Sequence, residues 1–278
     1  MIPQAHITAW RATAPWADDA QVEQDLVLSR ATVEIFTDPE LSGSLALRGG
    51  TALNKLFIHP PSRYSEDIDL VQTESGAIGE VLNAIRSRLD SWLGRPKRSS
   101  SEASVTLVYR FESEVPPIRP LRLKIEINTR EHFAVLDFKH PVLAVANPWF
   151  TGETNVTTYR LDELMGTKLR ALYQRRKGRD LFDLWLCLSR GLLDPDQVVA
   201  CFSAYMKHEK RTISRAEFER NLFEKKTASV FLDDIRPLLA TGISYDVKVA
   251  ATLVRENLIS RLTGDPWRGT PPAGDAEI

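Results

Sequence analysis

The sequence is poor in several things. It has two cysteines in 278 residues, and Cys187 and Cys201 form no CxxC pair of the kind that binds a metal. A single bridge cannot frame a chain of this length. Both cysteines lie in apolar helical contexts, so core thiols in a reducing cytosol are expected. No apolar run approaches the ~20 residues of a membrane-spanning helix, so no membrane partner is expected. The opening MIPQAHITAWRATAP lacks the charged start and apolar core of a signal peptide, which makes a cytoplasmic location the expectation. Net charge is almost missing as well: 36 Lys and Arg against 37 Asp and Glu leave -1. That balance excludes a broadly polybasic nucleic-acid binder, whose affinity is built from many phosphate contacts, but not a local basic patch. No internal repeat or long low-complexity tract is present. Only GDPWRGTPPAGDAEI at the end is rich in Gly and Pro, and residues 265–278 are expected to form a flexible tail.

What charge there is lies unevenly. Residues 1–159 hold 16 basic and 20 acidic side chains, net -4, and residues 160–278 hold 20 and 17, net +3, which sum to the total of -1. The hydrophobic pattern changes at the same place. Asp18 to Phe36 reads as a helix capped by Asp18 or Asp19. Leu45 to Leu47 reads as a strand entering a turn at Gly49-Gly50, and Thr51 to Phe57 as a short helix. Ile68 and Leu70 alternate with Asp67 and Asp69 as in a strand. Ile78, Val81, Leu82, Ile85, Leu89 and Trp92 follow helical spacing. Val105 to Phe111 and Leu121 to Ile127 alternate as strands. From Leu161 onward the pattern is helical: Leu161–Arg176, Arg179–Ser189, Asp196–Lys207, Arg215–Phe223, Ser229–Leu239 and Ser244–Leu262. Two domains are expected, an α/β part over 1–159 and a helical part over 160–264.

Side chains on a strand alternate between faces, so Asp67 and Asp69 share one face. Arg122, Lys124 and Glu126 form the polar set of the later strand. If the two strands pair, Glu126 sits beside the aspartates, and three carboxylates on one face need a cation to offset their repulsion. Oxygen ligands alone favour a hard ion such as Mg²⁺. An Asp-x-Asp triplet by itself is ordinarily only an exposed strand face. A Gly-Gly-Thr turn by itself is ordinarily only a turn. Yet Gly49 and Gly50 lack a Cβ and let a phosphate approach their backbone, and Thr51 offers a hydroxyl.

Together the parts are far more specific. LRGGTALNKLF followed by SRYSEDIDLV resembles the signature of the DNA polymerase β-type nucleotidyltransferase superfamily. Within it, Gly49, Gly50, Thr51, Arg63, Ser65, Asp67, Ile68, Asp69 and Leu70 resemble the AbiEii/AbiGii-type toxin nucleotidyltransferases of toxin–antitoxin systems. The resemblance spans roughly residues 43–186. It implies an α+β fold: a polymerase β-like nucleotidyltransferase core with a small mixed sheet, followed by a helical C-terminal domain.

A second match lies in KLRALYQRRKGRDLFDLW. Between residues 168 and 179 six of twelve side chains are basic. On a helix from Leu161, Lys168 falls near the centre of the apolar stripe, where a lysine must snorkel, pair with an acid or face a cleft. Arg175 falls close to that stripe, and Arg170 falls on the opposite face, where it is expected to be solvated. Lys168, Ala171, Arg175, Lys177, Arg179, Asp180, Asp183 and Leu184 match the family pattern. By that resemblance Lys168 contacts the nucleotide phosphates and Asp183 or Asp180 is a further acidic active-site residue. The sequence does not choose between the two acids. Arg175, Arg176, Lys177 and Arg179 are candidates for RNA or phosphate contact, against the plainer reading of a basic end placed on a helix dipole.

The activity implied is transfer of a nucleoside monophosphate from an NTP to an RNA acceptor, the tRNA 3′ end in some family members, with release of pyrophosphate. Asp67, Asp69 and Glu126 are the expected ligands of Mg²⁺, or of Mn²⁺ in its place. Gly49, Gly50, Thr51, Arg63, Ser65 and Lys168 are the expected nucleotide contacts. Asp67, Asp69, Lys168, Asp183 and Glu126 are the expected catalytic set. The partner implied is a cognate antitoxin protein. The rival readings are a small-molecule nucleotidyltransferase of the antibiotic-modifying kind and a nucleotide-binding module without turnover.

Overall fold

The computed structural model describes residues 2–269. The chain divides into two compact units, Met1–Leu164 with Leu238–Ile243, and Met165–Pro237 with Ser244–Ile278.

Unit 1 opens with helix α1 (Gln4–Trp10) and the long α2 (Asp19–Thr37), whose N-cap Asp18 accepts a hydrogen bond from the Ala20 N–H. Next come α3 (Pro39–Ser44), strand β1 (Leu45–Arg48), the single turn α4 (Gly49–Ala52) and a π-helical turn, Leu53–Phe57. Strand β2 (Asp67–Gln72), helix α5 (Ile78–Leu93) and strands β3 (Lys97–Ser100), β4 (Ser104–Glu112) and β5 (Pro120–Asn128) complete the main sheet. Its order is β1-β2-β5-β4-β3. Only β2 and β5 run parallel, so the sheet is mixed. A hairpin of β6 (Val142–Asn147) and β7 (Phe150–Asn155) forms a second sheet.

Alternation decides which face of the main sheet is the core. Ile68, Leu70, Val105, Leu107, Tyr109, Leu123, Ile125 and Ile127 are all buried, and α2 and α5 pack against the sheet. The intervening residues, Asp67, Asp69, Thr106, Arg110, Arg122, Lys124 and Glu126, are half-buried or exposed.

Unit 2 is helical. It holds most of α6 (Leu161–Gln174), then α7 (Gly178–Ser189), α8 (Pro195–His208), α9 (Arg215–Lys226), α10 (Ser229–Asp233) and α11 (Val247–Asn257). The helix expected over Ser229–Leu239 is cut short: after α10 there is only a 3-10 turn, Arg236–Leu238. Pro237 explains the break, because it has no N–H to donate to a helical ladder. The helix expected over Ser244–Leu262 begins later, where Asp246 caps the N–H of Val249. Cys187 and Cys201 are buried thiols, as expected. Of the tail, residues 270–278 lie outside the described residues. Trp267 does dock: its backbone N–H donates to the Glu219 carboxylate at 2.8 Å and its ring lies 5.1 Å from that of Phe223.

Candidate active site

In unit 1 the turn after β1 meets the start of β2. Gly49 has φ +77°, a left-handed conformation that strains any residue with a Cβ. A Cβ on Gly49 would lie 2.3 Å from Asp69 Oδ2, and one on Gly50 would lie 2.4 Å from Arg63 Nη2 and 2.9 Å from Ser65 Oγ. Both glycines are therefore required by space, one by the carboxylate and one by the guanidinium. Arg63 is fully buried, donates Nη1–H to the carbonyl of Tyr64, and supports the turn from inside. The Thr51 hydroxyl also points inward. It lies 2.5 Å from the Asp67 carbonyl oxygen and 3.0 Å from Ser65 Oγ, and the residue is 1% exposed. Thr51 thus clamps the turn to β2, where the sequence suggested a hydroxyl free for a phosphate.

Strand register sets the carboxylates. Asp69 is opposite Arg48 on β1 and Glu126 on β5, and Asp67 is opposite Lys124. Asp67 and Asp69 share the outer face as expected. Asp67 Oδ1 is buried and has no hydrogen-bond partner among the described residues. Burial, then the neighbouring Asp69 carboxylate, push Asp67 up to about 6, against the pull of Lys124.

Glu126 is in the right row, but the expected three-carboxylate set is not gathered. Among the described residues no group of three or more His, Cys, Asp or Glu is placed to hold a metal ion. The reason is Lys124, whose Nζ lies 2.6 Å from Glu126 and 3.9 Å from Asp67. Burial works against the charge of Lys124, but Glu126 and Asp67 outweigh it and hold its pKa above the ordinary value. What remains for a cation is the pair Asp67 and Asp69 with one unpartnered oxygen. This suits a hard divalent ion, since Mg²⁺ binds through one or two carboxylates and otherwise keeps water and substrate phosphates.

Several supports escaped the sequence reading. Arg48, just before the turn, pairs with Glu131 at 2.5 Å. Asn54 donates to the Gly50 carbonyl at 2.9 Å, an i to i+4 contact whose spacing was available as a signal. Lys55 pairs with the buried Asp25 at 2.6 Å.

In unit 2, Lys168 lies between two acids, 3.2 Å from Asp180 and 3.0 Å from Asp183, and both aspartates are fully buried. Asp180 also accepts from Arg175 Nε at 2.7 Å and Nη2 at 2.9 Å. Burial alone would favour neutral Asp180, but Lys168 and Arg175 outweigh it and hold the carboxyl below its usual range. Of the three options for a lysine on an apolar stripe, Lys168 takes pairing, and it pairs with both acids. Lys177 and Arg179 pair with Asp234 at 3.4 and 3.1 Å, while Arg176 is exposed. Arg170 departs from expectation. It is buried, pairs with Glu209 at 3.1 Å and lies 4.8 Å from the ring centroid of Tyr205, because α8 and its end cover that face of α6.

Comparison with known proteins bears on the fold and the family. Among curated proteins none matches the chain. Among solved structures, MenT4, a nucleotidyltransferase toxin of Mycobacterium tuberculosis H37Rv, superposes with a TM-score of 0.66 at 16% identity, over 95% of this chain and 91% of that one. A nucleotidyltransferase structure from H. pylori gives a TM-score of 0.56 at 18% identity, over 86% and 93%. These likenesses show a shared nucleotidyltransferase fold. A model of the nucleotidyl transferase AbiEii toxin of type IV toxin–antitoxin systems matches residues 31–251. With that match over most of its length, the chain belongs to the AbiEii family of nucleotidyltransferase toxins.

Proposed function

We propose that this enzyme transfers a nucleoside monophosphate from an NTP to RNA, with the 3′ end of tRNA as acceptor, in a reaction that depends on Mg²⁺ or Mn²⁺. The observation that carries the reading is the Asp67–Asp69 pair, packed against a glycine turn and left with a buried, unpartnered carboxylate oxygen. Asp67 and Asp69 would hold the cation, which supplies charge neutralisation on the triphosphate when bound. Gly49 and Gly50 give the phosphates access to backbone, and Arg63 beneath Gly50 adds fixed positive charge to the turn. Asp69, held against Gly49, keeps its position because nothing larger fits there. Glu126, bonded to Lys124, orients that lysine beside Asp67. The acceptor hydroxyl oxygen bonds to the α-phosphorus, the bond from that phosphorus to the bridging oxygen breaks, pyrophosphate leaves, and the hydroxyl proton is lost to water. In unit 2 the family resemblance implies Lys168 as phosphate contact and Asp183 or Asp180 as the further acid. The protein works in the cytoplasm and is held in check by a cognate antitoxin.

The test is incubation of purified protein with total RNA, Mg²⁺ and each α-labelled NTP in turn. Label in the tRNA band that disappears with Asp69→Ala, and with chelator, supports the reading. Label in no RNA with any NTP refutes it, and label in a small hydroxyl compound instead would assign the acceptor to the antibiotic-modifying kind.

A further inference from the structure

The outer face of the main sheet carries more charge than the carboxylate pair explains. Arg110 on β4 stands directly opposite Arg122 on β5, and both side chains are exposed. Like charges in a directly opposed pair destabilise a sheet. Among the described residues neither guanidinium makes an ion pair, although Glu112 lies two residues from Arg110 on the same face. Lys97, on the edge strand β3, is exposed too and lies in the same row as Val108, Lys124 and Asp67. From Lys97 to Asp67 that row crosses three inter-strand spacings, about 14 Å. The arginine pair is one row further along, two residues or roughly 7 Å from Lys124. A basic track thus runs over an open sheet face up to the carboxylates. Its central pair repels itself, and no acid among the described residues bridges the two guanidiniums to relieve it.

Such a track suits a polyanion. We infer that this sheet face is the docking surface for the phosphodiester backbone of the acceptor RNA, with Arg110 and Arg122 at its centre and Lys97 at its edge, and that it leads the acceptor end to Asp67 and Asp69. The inference rests on the proposed RNA acceptor and adds where that acceptor binds. It differs from the sequence expectation, which looked to the basic run after Lys168. Much of that run is engaged with Asp180 and Asp234.

The test uses the full-length protein with Arg110→Gln and Arg122→Gln combined, and reads affinity for fluorescently labelled tRNA across a salt series, affinity for NTP, and melting temperature. We expect RNA affinity to fall about tenfold at low salt and the slope of log K against log salt to flatten by about 1.4, because two phosphates are no longer neutralised by the protein. NTP affinity stays unchanged. Melting temperature holds or rises, since an opposed like-charge pair has gone. Arg110→Lys with Arg122→Lys should keep most of the RNA affinity, and Lys97→Gln should lower it further. Unchanged RNA affinity and salt slope in the glutamine variant would overturn the inference. So would loss of NTP affinity with RNA binding kept, which would assign the pair to the incoming triphosphate. If wild-type protein labels no RNA with any NTP, the proposed function fails and this surface with it. If wild-type protein labels RNA and the variant does so with the same dependence on RNA concentration, only the surface fails.

Discussion

Replacing Lys168 with methionine keeps most of the side-chain volume and removes the cation between Asp180 and Asp183. Lys168 is 7% exposed and both carboxylates 0%. Removing one partner of a buried ion pair costs about 3–5 kcal/mol, because the remaining charge stays buried. Arg175 still reaches Asp180, so the loss falls chiefly on Asp183 and on repulsion within the pair. The pair can relieve that cost by taking up a proton, and this gives the loss a pH dependence with a definite sign. In the wild type Asp180 is held below its usual range, so its contribution is present above the unfolded pKa near 3.8 and is lost as pH falls through the folded value. In the variant the folded aspartate pair binds a proton that the unfolded chain does not, so stability falls as pH rises. Each unit of pKa displacement is worth about 1.4 kcal/mol. The loss on mutation should therefore be larger at pH 8 than at pH 5.

Urea unfolding followed by far-ultraviolet circular dichroism at the two pH values measures this, read on the transition of the helical unit, since two compact units can unfold separately. The double variant Lys168→Met with Asp183→Asn also removes the carboxylate that faced the lysine. It should recover more than half of the lost stability, while both variants, by the role proposed for Lys168, lose nucleotidyl transfer. A loss below about 1 kcal/mol and equal at both pH values, or no recovery in the double variant, would refute the buried-charge argument.

Three further outcomes follow from packing and charge. Gly49→Ala forces a Cβ to within 2.3 Å of Asp69 Oδ2 at φ +77°; it should cost roughly 1–3 kcal/mol and lower the initial transfer rate about 100-fold by displacing the carboxylate. Glu23 is buried in α2, with one oxygen unpartnered, and burial pushes it up to about 7 from an ordinary 4.5. The folded state therefore holds a proton that the unfolded chain releases, and stability is lost as pH rises from about 4.5 through 7; Glu23→Gln should raise the melting temperature at pH 8 and leave it unchanged at pH 4. Lys225 donates to the carbonyls of Leu172 and Tyr173 at the end of α6. Lys225→Met leaves both carbonyls unpaired and should cost about 2–3 kcal/mol in urea unfolding.

The sequence was legible where pattern and chemistry coincide. Alternation in DIDLV and LRLKIEI gave both strands and the face of each side chain, and the Asp18-Asp19 pair announced the start of α2. It was not legible where either signal is absent. Lys97–Ser100 is exposed along its whole length and has no apolar face to mark it as a strand. In β6, Val142, Ala144 and Ala146 face outward while Leu143 and Val145 are buried, so apolar residues occupy both faces and no alternation survives. The site follows the same rule. Gly49, Gly50, Asp67 and Asp69 come together because one turn and one strand carry them all. Glu126 shares their face, and its contact with Lys124 is an i,i+2 contact within one strand; what no local pattern encodes is the pairing of β5 beside β2, which brings Lys124 to Asp67. Helical spacing put Arg170 on the correct face of α6, but whether that face meets water depends on α8 and its end, which lie about thirty-five residues away in sequence.

Near-zero net charge takes on a different meaning once the register is known. On a sheet face with no function, opposite charges would be expected to sit across from one another, since such pairs stabilise neighbouring strands. Part of this face does so: Lys124 lies across from Asp67 and also engages Glu126. At two places it does not. Asp67 keeps an unpartnered oxygen beside Asp69, and Arg110 stands across from Arg122. Each arrangement raises the energy of the free protein, and each would be relieved by a ligand charge of the opposite sign: a cation at the aspartates and phosphates at the arginines. Balanced totals conceal this because the two imbalances cancel in the sum, although they lie in different rows of the same sheet. Neutralising the arginine pair should therefore stabilise the free protein while weakening its hold on RNA, a trade that a purely structural role for these side chains would not produce.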